Sequence, residues 1–261
     1  MAEYRKVKYY FDKKLAKLIA GKVKRVHPKF RSNDFVKTIA DSVDDLELKA
    51  RVAIITDALH EFLPADYKVA MEILLKILGP ENENEKGMFK EGYWLMPVAH
   101  FVEKYGCDDF DTSITAIYEI TKRHTGEYAV RPFLERYPAK MLSVMKDWSK
   151  DQSFHVRRLA CEGVRPRLPW AKNMEQFLID PTPVFPILEN LKEDESLFVR
   201  KSVANNLNDI LKDNYEIGIR VLKKWSRSKS EETKWIIRHA LRNEIRKGNS
   251  EAQQLINKIK I

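Results

Sequence analysis

The chain has 261 residues, of which 33% are charged and 9 are glycine, and its net charge is +9 at pH 7. This composition favours helix over sheet and suffices for one large domain or two small ones. No run of 18 apolar residues occurs, which argues against a membrane span. The two cysteines, Cys107 and Cys161, exclude a disulfide framework or a four-cysteine zinc site, so a reducing cytoplasm is the expected location.

The first half of the chain reads as a series of helices. The basic start, residues 1–26, is amphipathic but lacks an uninterrupted apolar stretch and a cleavage site, so it predicts a helix rather than a signal peptide. Apolar residues at three- and four-residue steps then predict two helical pairs on either side of a polar loop at 79–87. The predicted pairs are 46–63 with 66–78, and 93–106 with 111–124.

The second half contains a repeated pattern. Asp151 opens the stretch DQSFHVRRLACEG, and Asp194, 43 residues later, opens DESLFVRKSVANN. A weaker third copy, EETKWIIRHALRN, begins at Glu231. A period of about 40 residues is typical of HEAT repeats, whose helical pairs stack into a solenoid with a concave face. We therefore predict one all-α, HEAT-like domain over residues 1–261, with Asp-x-Ser supplying helix N-caps.

A helical wheel of the segment after Asp194 separates its apolar and polar side chains. The apolar stripe, which predicts the core, is formed by Val199, Val203, Leu207 and Ile210. The polar stripe contains Ser202, Asn205 and Asp209. Glu162 occupies the repeat position of Asn205, so Glu162 and Asp209 are expected to project in the same direction from neighbouring helices. The alternative is that each carboxylate is a surface charge or a helix-end ion pair, with Arg158 or Lys212.

One amide falls on the apolar side of the same wheel. Asn206 lies inside the stripe that predicts the core. Because a buried amide needs partners, Asn206 predicts a hydrogen bond between helices.

A basic loop, VRPRLPW, follows Glu162, and two thirds of the net positive charge lies in residues 151–261. Taken alone, this imbalance fits a nucleic-acid partner and ordinary solubility charge about equally well. Two prolines stiffen the loop, and the guanidinium groups of Arg165 and Arg167 suit phosphate. Trp170, at its end, is either a packing residue or a ligand contact. No metal-ligand spacing, nucleophilic triad or phosphate-binding loop is present, so no metal and no cofactor are predicted.

Several long motifs resemble the AlkC family of DNA alkylation-repair glycosylases, a HEAT-like group related to AlkD. They are HVRRLACEGVRPRLPWA, LFVRKSVANNLNDI, GEYAVRPFL and LELKARV. The resemblance implies excision of bases methylated at N3, mainly 3-methyladenine and 3-methylcytosine, from double-stranded DNA without base flipping. Some members carry a further immunoglobulin-like domain, and this chain is expected to be the form without it.

The resemblance also implies an active site. The acidic positions of the family fall on Glu127, Glu162 and Asp209, and its aromatic position falls on Trp170. Carboxylates are suited to stabilising an oxocarbenium-like sugar and positioning a water molecule. We expect the acids to meet in one trough whose basic rim holds DNA phosphates. The candidate phosphate-binding residues are Arg157, Arg165, Arg167, Arg200, Lys201 and Arg238.

Two other functions are alternatives to the glycosylase function. One is a catalytically silent HEAT protein that binds damaged or branched DNA, and the other is a protein-interaction scaffold. Retention of all three carboxylates favours the enzyme, which we expect to be a monomer associated with the bacterial nucleoid.

Overall fold

The computed structural model describes residues 6–85 and 91–259, and these residues form helices, turns and loops without a β-strand. The prediction of an all-α chain is therefore confirmed. By its contacts the chain divides into two compact units, Met1–Phe133 and Leu134–Ile261. No helix within the described ranges is long and apolar enough to cross a membrane.

Unit 1 consists of short helices that pack in pairs. α1 packs against α2, and α3 packs against α5. All four helices predicted upstream of residue 125 are present as α3 to α6, but α3 packs mainly against α5, and α4 against α6, rather than α3 against α4. Residues 79–85, the described part of the predicted polar loop, contain no helix. The helices are α1 (Lys13–Val26), α2 (Ser32–Ala40), α3 (Leu48–Phe62), α4 (Tyr67–Lys76), α5 (Met96–Tyr105) and α6 (Phe110–Thr121).

The N-terminal helix is shorter than predicted. Residues Val7–Tyr10 form a 3₁₀ turn, and α1 begins only at Lys13. The Oδ1 atom of Asp12 accepts hydrogen bonds from the backbone N–H groups of Lys14 (2.8 Å) and Leu15 (3.2 Å). Because Asp12 caps the helix in this way, the backbone before it leaves the helical conformation.

Unit 2 is built around one long helix. α12 packs against α9, α13 and α14, and the apolar stripe predicted from the helical wheel is fully buried. After α7 (Arg131–Arg136), which spans the boundary between the units, the helices are α8 (Pro138–Trp148), α9 (Phe154–Glu162), α10 (Glu175–Ile179), α11 (Phe185–Leu191), α12 (Leu197–Asp213), α13 (Tyr215–Trp225), α14 (Glu231–Ala240), α15 (Arg242–Arg246) and α16 (Ser250–Ile259).

The repeated Asp-x-Ser motif closes the loop before a helix. The Oδ1 atom of Asp151 accepts the backbone N–H of Ser153 at 2.7 Å, and Asp194 accepts that of Ser196 at 2.8 Å. Ser153 and Ser196 are the N-cap residues of α9 and α12. In α12 the serine hydroxyl also accepts the N–H of Val199 at 3.3 Å. The predicted N-caps are confirmed.

The predicted register of the third copy is wrong. The N-cap of α14 is Ser230, whose hydroxyl accepts the N–H of Thr233 at 3.2 Å. Ser228 stands where the first two copies have Asp151 and Asp194, and its hydroxyl accepts the N–H of Ser230 at 3.1 Å. The third copy therefore begins at Ser228, three residues before Glu231. Serine can replace aspartate here because either side chain provides the oxygen that accepts this N–H.

Candidate active site

Glu162 is the last residue of α9, and a tight turn follows it. The backbone N–H of Arg165 donates to the carbonyl oxygen of Glu162 at 3.2 Å. Val164 and Leu168 are buried in the core of unit 2. This turn therefore directs the side chain of Arg165 back towards the carboxylate of Glu162.

Arg165 bridges the two carboxylates that the repeat analysis predicted to lie together. Its NH1 donates to Oε1 of Glu162 at 2.7 Å, while Nε lies 2.9 Å and NH2 2.8 Å from Oδ2 of Asp209. The side chains of Arg165, Glu162 and Asp209 are 9%, 8% and 3% exposed. The prediction that Glu162 and Asp209 project in the same direction from α9 and α12 is thus confirmed.

Glu162 is ionised in this setting. The hydroxyl of Ser202 donates to its Oε2 at 2.5 Å, and Arg158 lies 3.5 Å from its Oε1. Burial acts to raise the pKa of Glu162, but the charges of Arg158 and Arg165 outweigh it and hold that pKa below the ordinary value. The neighbouring Cys161 is no nucleophile, because burial raises the pKa of its thiol to about 12.

Asp209 is surrounded by cations and amides. Lys212 lies 3.1 Å from its Oδ1. One turn earlier on α12, Asn206 donates to the carbonyl oxygen of Cys161 at 2.9 Å, which confirms the predicted hydrogen bond between helices. The adjacent Asn208 donates to the carbonyl oxygen of Ala240 at 2.7 Å. These bonds fix α12 between α9 and α14, and they hold the Asp209 backbone in place.

Sequence reasoning missed Arg242, which acts on the same cluster. Its guanidinium donates to Oδ1 of Asn205 at 2.9 Å and to the carbonyl oxygen of His239 at 2.7 Å. Burial and the neighbouring charge of Arg165 hold the pKa of Arg242 below its ordinary value, against the attraction of Asp209. With the third copy aligned on Ser230, Arg242 takes the repeat position of Arg165, so the correct register would have identified it.

Trp170 lies at the surface and has an unusual backbone conformation. It is 63% exposed and has a φ of 64°. The left-handed region is strained for a bulky residue, and such strain is concentrated at functional sites. The loop around it is closed by hydrogen bonds from the N–H of Ala171 to Leu168 (3.2 Å) and from the N–H of Met174 to Pro166 (2.9 Å). This exposure favours a ligand contact over a packing role.

Glu127 belongs to unit 1, in the loop between α6 and α7. It is buried, and its Oε2 accepts a hydrogen bond from the hydroxyl of Thr125. The preceding His124 is also buried. A meeting of Glu127 with Glu162 and Asp209 stays a prediction.

Two of the predicted phosphate ligands close the loops before their own helices. NH1 of Arg157 donates to the carbonyl oxygens of Asp151 (3.0 Å) and Gln152 (2.8 Å). NH1 of Arg200 makes the same pair of bonds in the next copy, to the carbonyl oxygens at 194 and 195. Arg157 also binds the carboxylate of Asp194 at 2.6 Å. The repeated Val-Arg pair therefore has a structural role, and phosphate binding by these arginines stays a prediction.

Arg165 is buried between the two acids, but three other predicted phosphate ligands are more accessible. Arg167 makes a two-pronged ion pair with Asp213, at 2.7 Å for each bond, and its side chain is 38% exposed. Lys201 is exposed on α12, and Arg238 lies on α14 at 4.0 Å from Glu231. Cations with weak or exposed partners can exchange them for a DNA phosphate, so these three remain the better candidates.

Comparison with known proteins identifies relatives over almost the whole chain. A family model described as DNA alkylation repair enzyme matches residues 123–243. Uncharacterized protein YhaZ of Bacillus subtilis (strain 168) is 39% identical over 250 residues, which are 95% of this chain and 67% of YhaZ.

A solved structure is also similar. It is that of Pseudomonas fluorescens alkylpurine DNA glycosylase AlkC, bound to DNA containing an abasic site analog. Its sequence is 36% identical, its TM-score is 0.88, and the match covers 97% of this chain and 68% of that chain. Its helical-repeat fold confirms the predicted fold class.

Proposed function

Because this chain belongs to the AlkC-type family of DNA alkylation repair enzymes, we propose that it is a DNA glycosylase that excises N3-methylated bases. The substrates are 3-methyladenine and 3-methylcytosine in double-stranded DNA. One observation carries the proposal: two buried carboxylates, Glu162 and Asp209, are joined by Arg165 at the foot of a loop that exposes Trp170.

The chemistry follows from the charge of the lesion. Methylation at N3 makes the base cationic, so the glycosidic C–N bond breaks with its electron pair going to the base, which leaves neutral. The sugar left behind is an oxocarbenium-like cation. Water then adds to its anomeric carbon and gives up a proton to a carboxylate. Ionised carboxylates stabilise both the sugar cation and the attacking water, as in sugar hydrolases.

The contacts of the two carboxylates suggest a different role for each. Both oxygens of Glu162 are held, Oε1 by Arg165 and Oε2 by Ser202. The partner of Oδ1 of Asp209 is Lys212, whose side chain is 40% exposed. We assign the water and its proton to Asp209, and a fixed negative charge near the sugar to Glu162. A supporting role for Glu127 stays a prediction from the family resemblance.

Arg165 then acts as a positioning residue rather than as a phosphate ligand. It is buried against both acids, and its charge holds the pKa of Glu162 low. Without it, two carboxylates would share one buried site with no cation between them. Arg165 thus holds Glu162 and Asp209 in a fixed geometry and supplies the positive charge between them.

Phosphate and sugar contacts complete the site. Trp170 contacts the deoxyribose through its exposed ring, and Arg167, Lys201 and Arg238 hold the backbone of the DNA. The lesion is already a good leaving group, so the base does not need to be flipped into a deep pocket for activation.

The test is to incubate the purified protein with duplex DNA that contains methylated bases and to identify the bases released. We expect 3-methyladenine and 3-methylcytosine from the wild type, and a loss of release of about a hundredfold or more in Asp209→Asn. Duplex affinity serves as the control and should be retained in Asp209→Asn. Tight duplex binding by the wild type without release of any base would establish a non-catalytic DNA-binding protein instead.

A further inference from the structure

A basic groove runs between the first two helices of unit 1, and neither the fold nor the proposed active site uses it. The groove has a volume of about 600 Å³. Its α1 wall lies on one face of the helix, at positions separated by three, four or seven residues. The lining residues from α1 are Lys13, Lys17, Ala20, Gly21, Lys24 and Arg25. Those from the α2 segment are Ser32, Asn33, Val36, Lys37, Ala40 and Asp41.

The charge of this groove is strongly one-sided. Five of the lining residues are cations and one, Asp41, is an acid. Among the described residues, none of the five cations forms an ion pair, although Nζ of Lys24 donates to the carbonyl oxygen of Phe30 at 2.9 Å. Unpaired cations on both walls of a groove attract a polyanion.

The α1 wall also contains features that weaken the helix. Gly21 lies in the middle of α1, where glycine is less stable than alanine. A Cβ atom at Gly21 would have nothing within 4 Å, so packing within the protein does not require glycine there. Lys13 and Lys17 are like charges four residues apart, and Lys13 also lies in the first turn, where a cation opposes the helix dipole.

These destabilising residues all lie on the face of α1 that lines the groove. Close approach of an anionic ligand to the helix backbone would explain each of them. The other donors in the groove agree with this. Lysine, serine and asparagine side chains and helix N-termini are the groups that commonly contact DNA phosphates. The groove contains Ser32 and Asn33 at the start of α2, a nine-residue helix whose N-cap residue, Arg31, gives its first N–H groups no side-chain capping bond.

We infer that this groove binds the sugar–phosphate backbone of DNA, as a contact separate from the carboxylates of unit 2. An acidic protein segment is the competing occupant. It would need large apolar side chains to pack against, whereas Val36 is the largest apolar residue among those that line the groove, and the others are Ala20, Gly21 and Ala40. The inference rests on the proposed function in that the ligand is the duplex that the enzyme repairs.

The test measures affinity for an unmodified duplex oligonucleotide as a function of salt concentration. In Lys17→Glu/Lys37→Glu we expect at least tenfold weaker binding, and a log–log salt slope that is smaller by about one to two. The matched control, Lys14→Glu/Lys29→Glu, makes the same change of charge at exposed lysines outside the groove and should retain most of the affinity and slope. Equal effects of the two pairs would mean general charge attraction and would overturn the site.

Gly21→Leu provides a second measurement, because it adds no charge and fills the groove. We expect a higher midpoint of thermal unfolding, since leucine is a better helix former, together with weaker duplex binding. A more stable variant with unchanged affinity would overturn the proposal. Base release by the wild type, measured on the same preparation, distinguishes the two proposals. If bases are released and no groove variant binds duplex more weakly, the groove proposal is refuted and the proposed glycosylase function stands.

Discussion

Replacing Arg165 by glutamine tests the electrostatic design of the proposed active site. At effective protein dielectric constants, each of its two contacts with a carboxylate contributes about 4 kcal/mol of attraction. Removing one partner of such a buried group typically destabilises a protein by about 3–5 kcal/mol, because charges are left unpaired. We expect a loss of that size in urea unfolding at neutral pH, and a single-turnover rate of base release that is lower by about 10²–10³.

The pH dependence separates this role from simple loss of packing. The wild-type pKa of Glu162 is held low by Arg158 and Arg165 against burial, so its carboxyl stays ionised down to acidic pH. In Arg165→Gln burial is opposed only by the charge of Arg158 and the hydrogen bond from Ser202, so the pKa of Glu162 rises and the acid limb of the rate profile moves to higher pH. The rate deficit should be larger at about pH 5 than at about pH 8.

Stability should follow the same sign. A carboxyl with a lowered folded pKa stabilises the fold above its unfolded pKa, and this contribution is lost as pH falls through the folded pKa. Arg165→Gln lacks much of this contribution, so the difference in free energy of unfolding between the wild type and the variant should shrink as the pH falls. The matched control is Arg167→Gln, which also removes an ion pair between an arginine and a carboxylate, but one whose acid, Asp213, lies at the surface. A rate deficit that is independent of pH, or a change in duplex affinity alone, would refute the positioning role of Arg165.

Three further predictions concern neighbouring residues. Asp209→Asn should slow base release by about a hundredfold or more but retain duplex affinity, and wild-type release by this variant would remove Asp209 from the mechanism. Trp170→Gly should relieve the strained φ and stabilise the fold by about 1 kcal/mol, yet slow base release at saturating DNA; an unchanged rate would leave the ring with no role. Arg167→Ala should lower duplex affinity for any sequence and reduce the salt slope by about one; an unchanged slope would place Arg167 outside the interface.

Much of the second half of the fold was predictable from periodicity. The apolar stripe of α12 follows the helical period, and the repeat of Asp151 in Asp194 specifies where α9 and α12 begin. The third copy was harder, because Ser228 replaces the aspartate and conceals the start of the motif. Asp12 likewise makes the first helix begin later than predicted, because a single capping residue outweighs an amphipathic pattern.

The candidate site was predictable in part. The repeat offset brought Glu162 and Asp209 together, because equivalent positions on stacked helices face the same way. The role of Arg165 was hidden, because a loop arginine next to prolines has the same composition whether it faces solvent or turns inward. Only the hydrogen bond that closes the turn after Glu162 directs it towards the acids. Glu127 came from family resemblance alone, since its loop has no periodicity.

Arg157 joins two successive copies of the repeat. It closes the loop before α9 and also grips Asp194, the residue that closes the loop before α12. Deletion of the first copy would therefore leave Asp194 without its arginine, and a truncation there should lower the stability of the copy that remains.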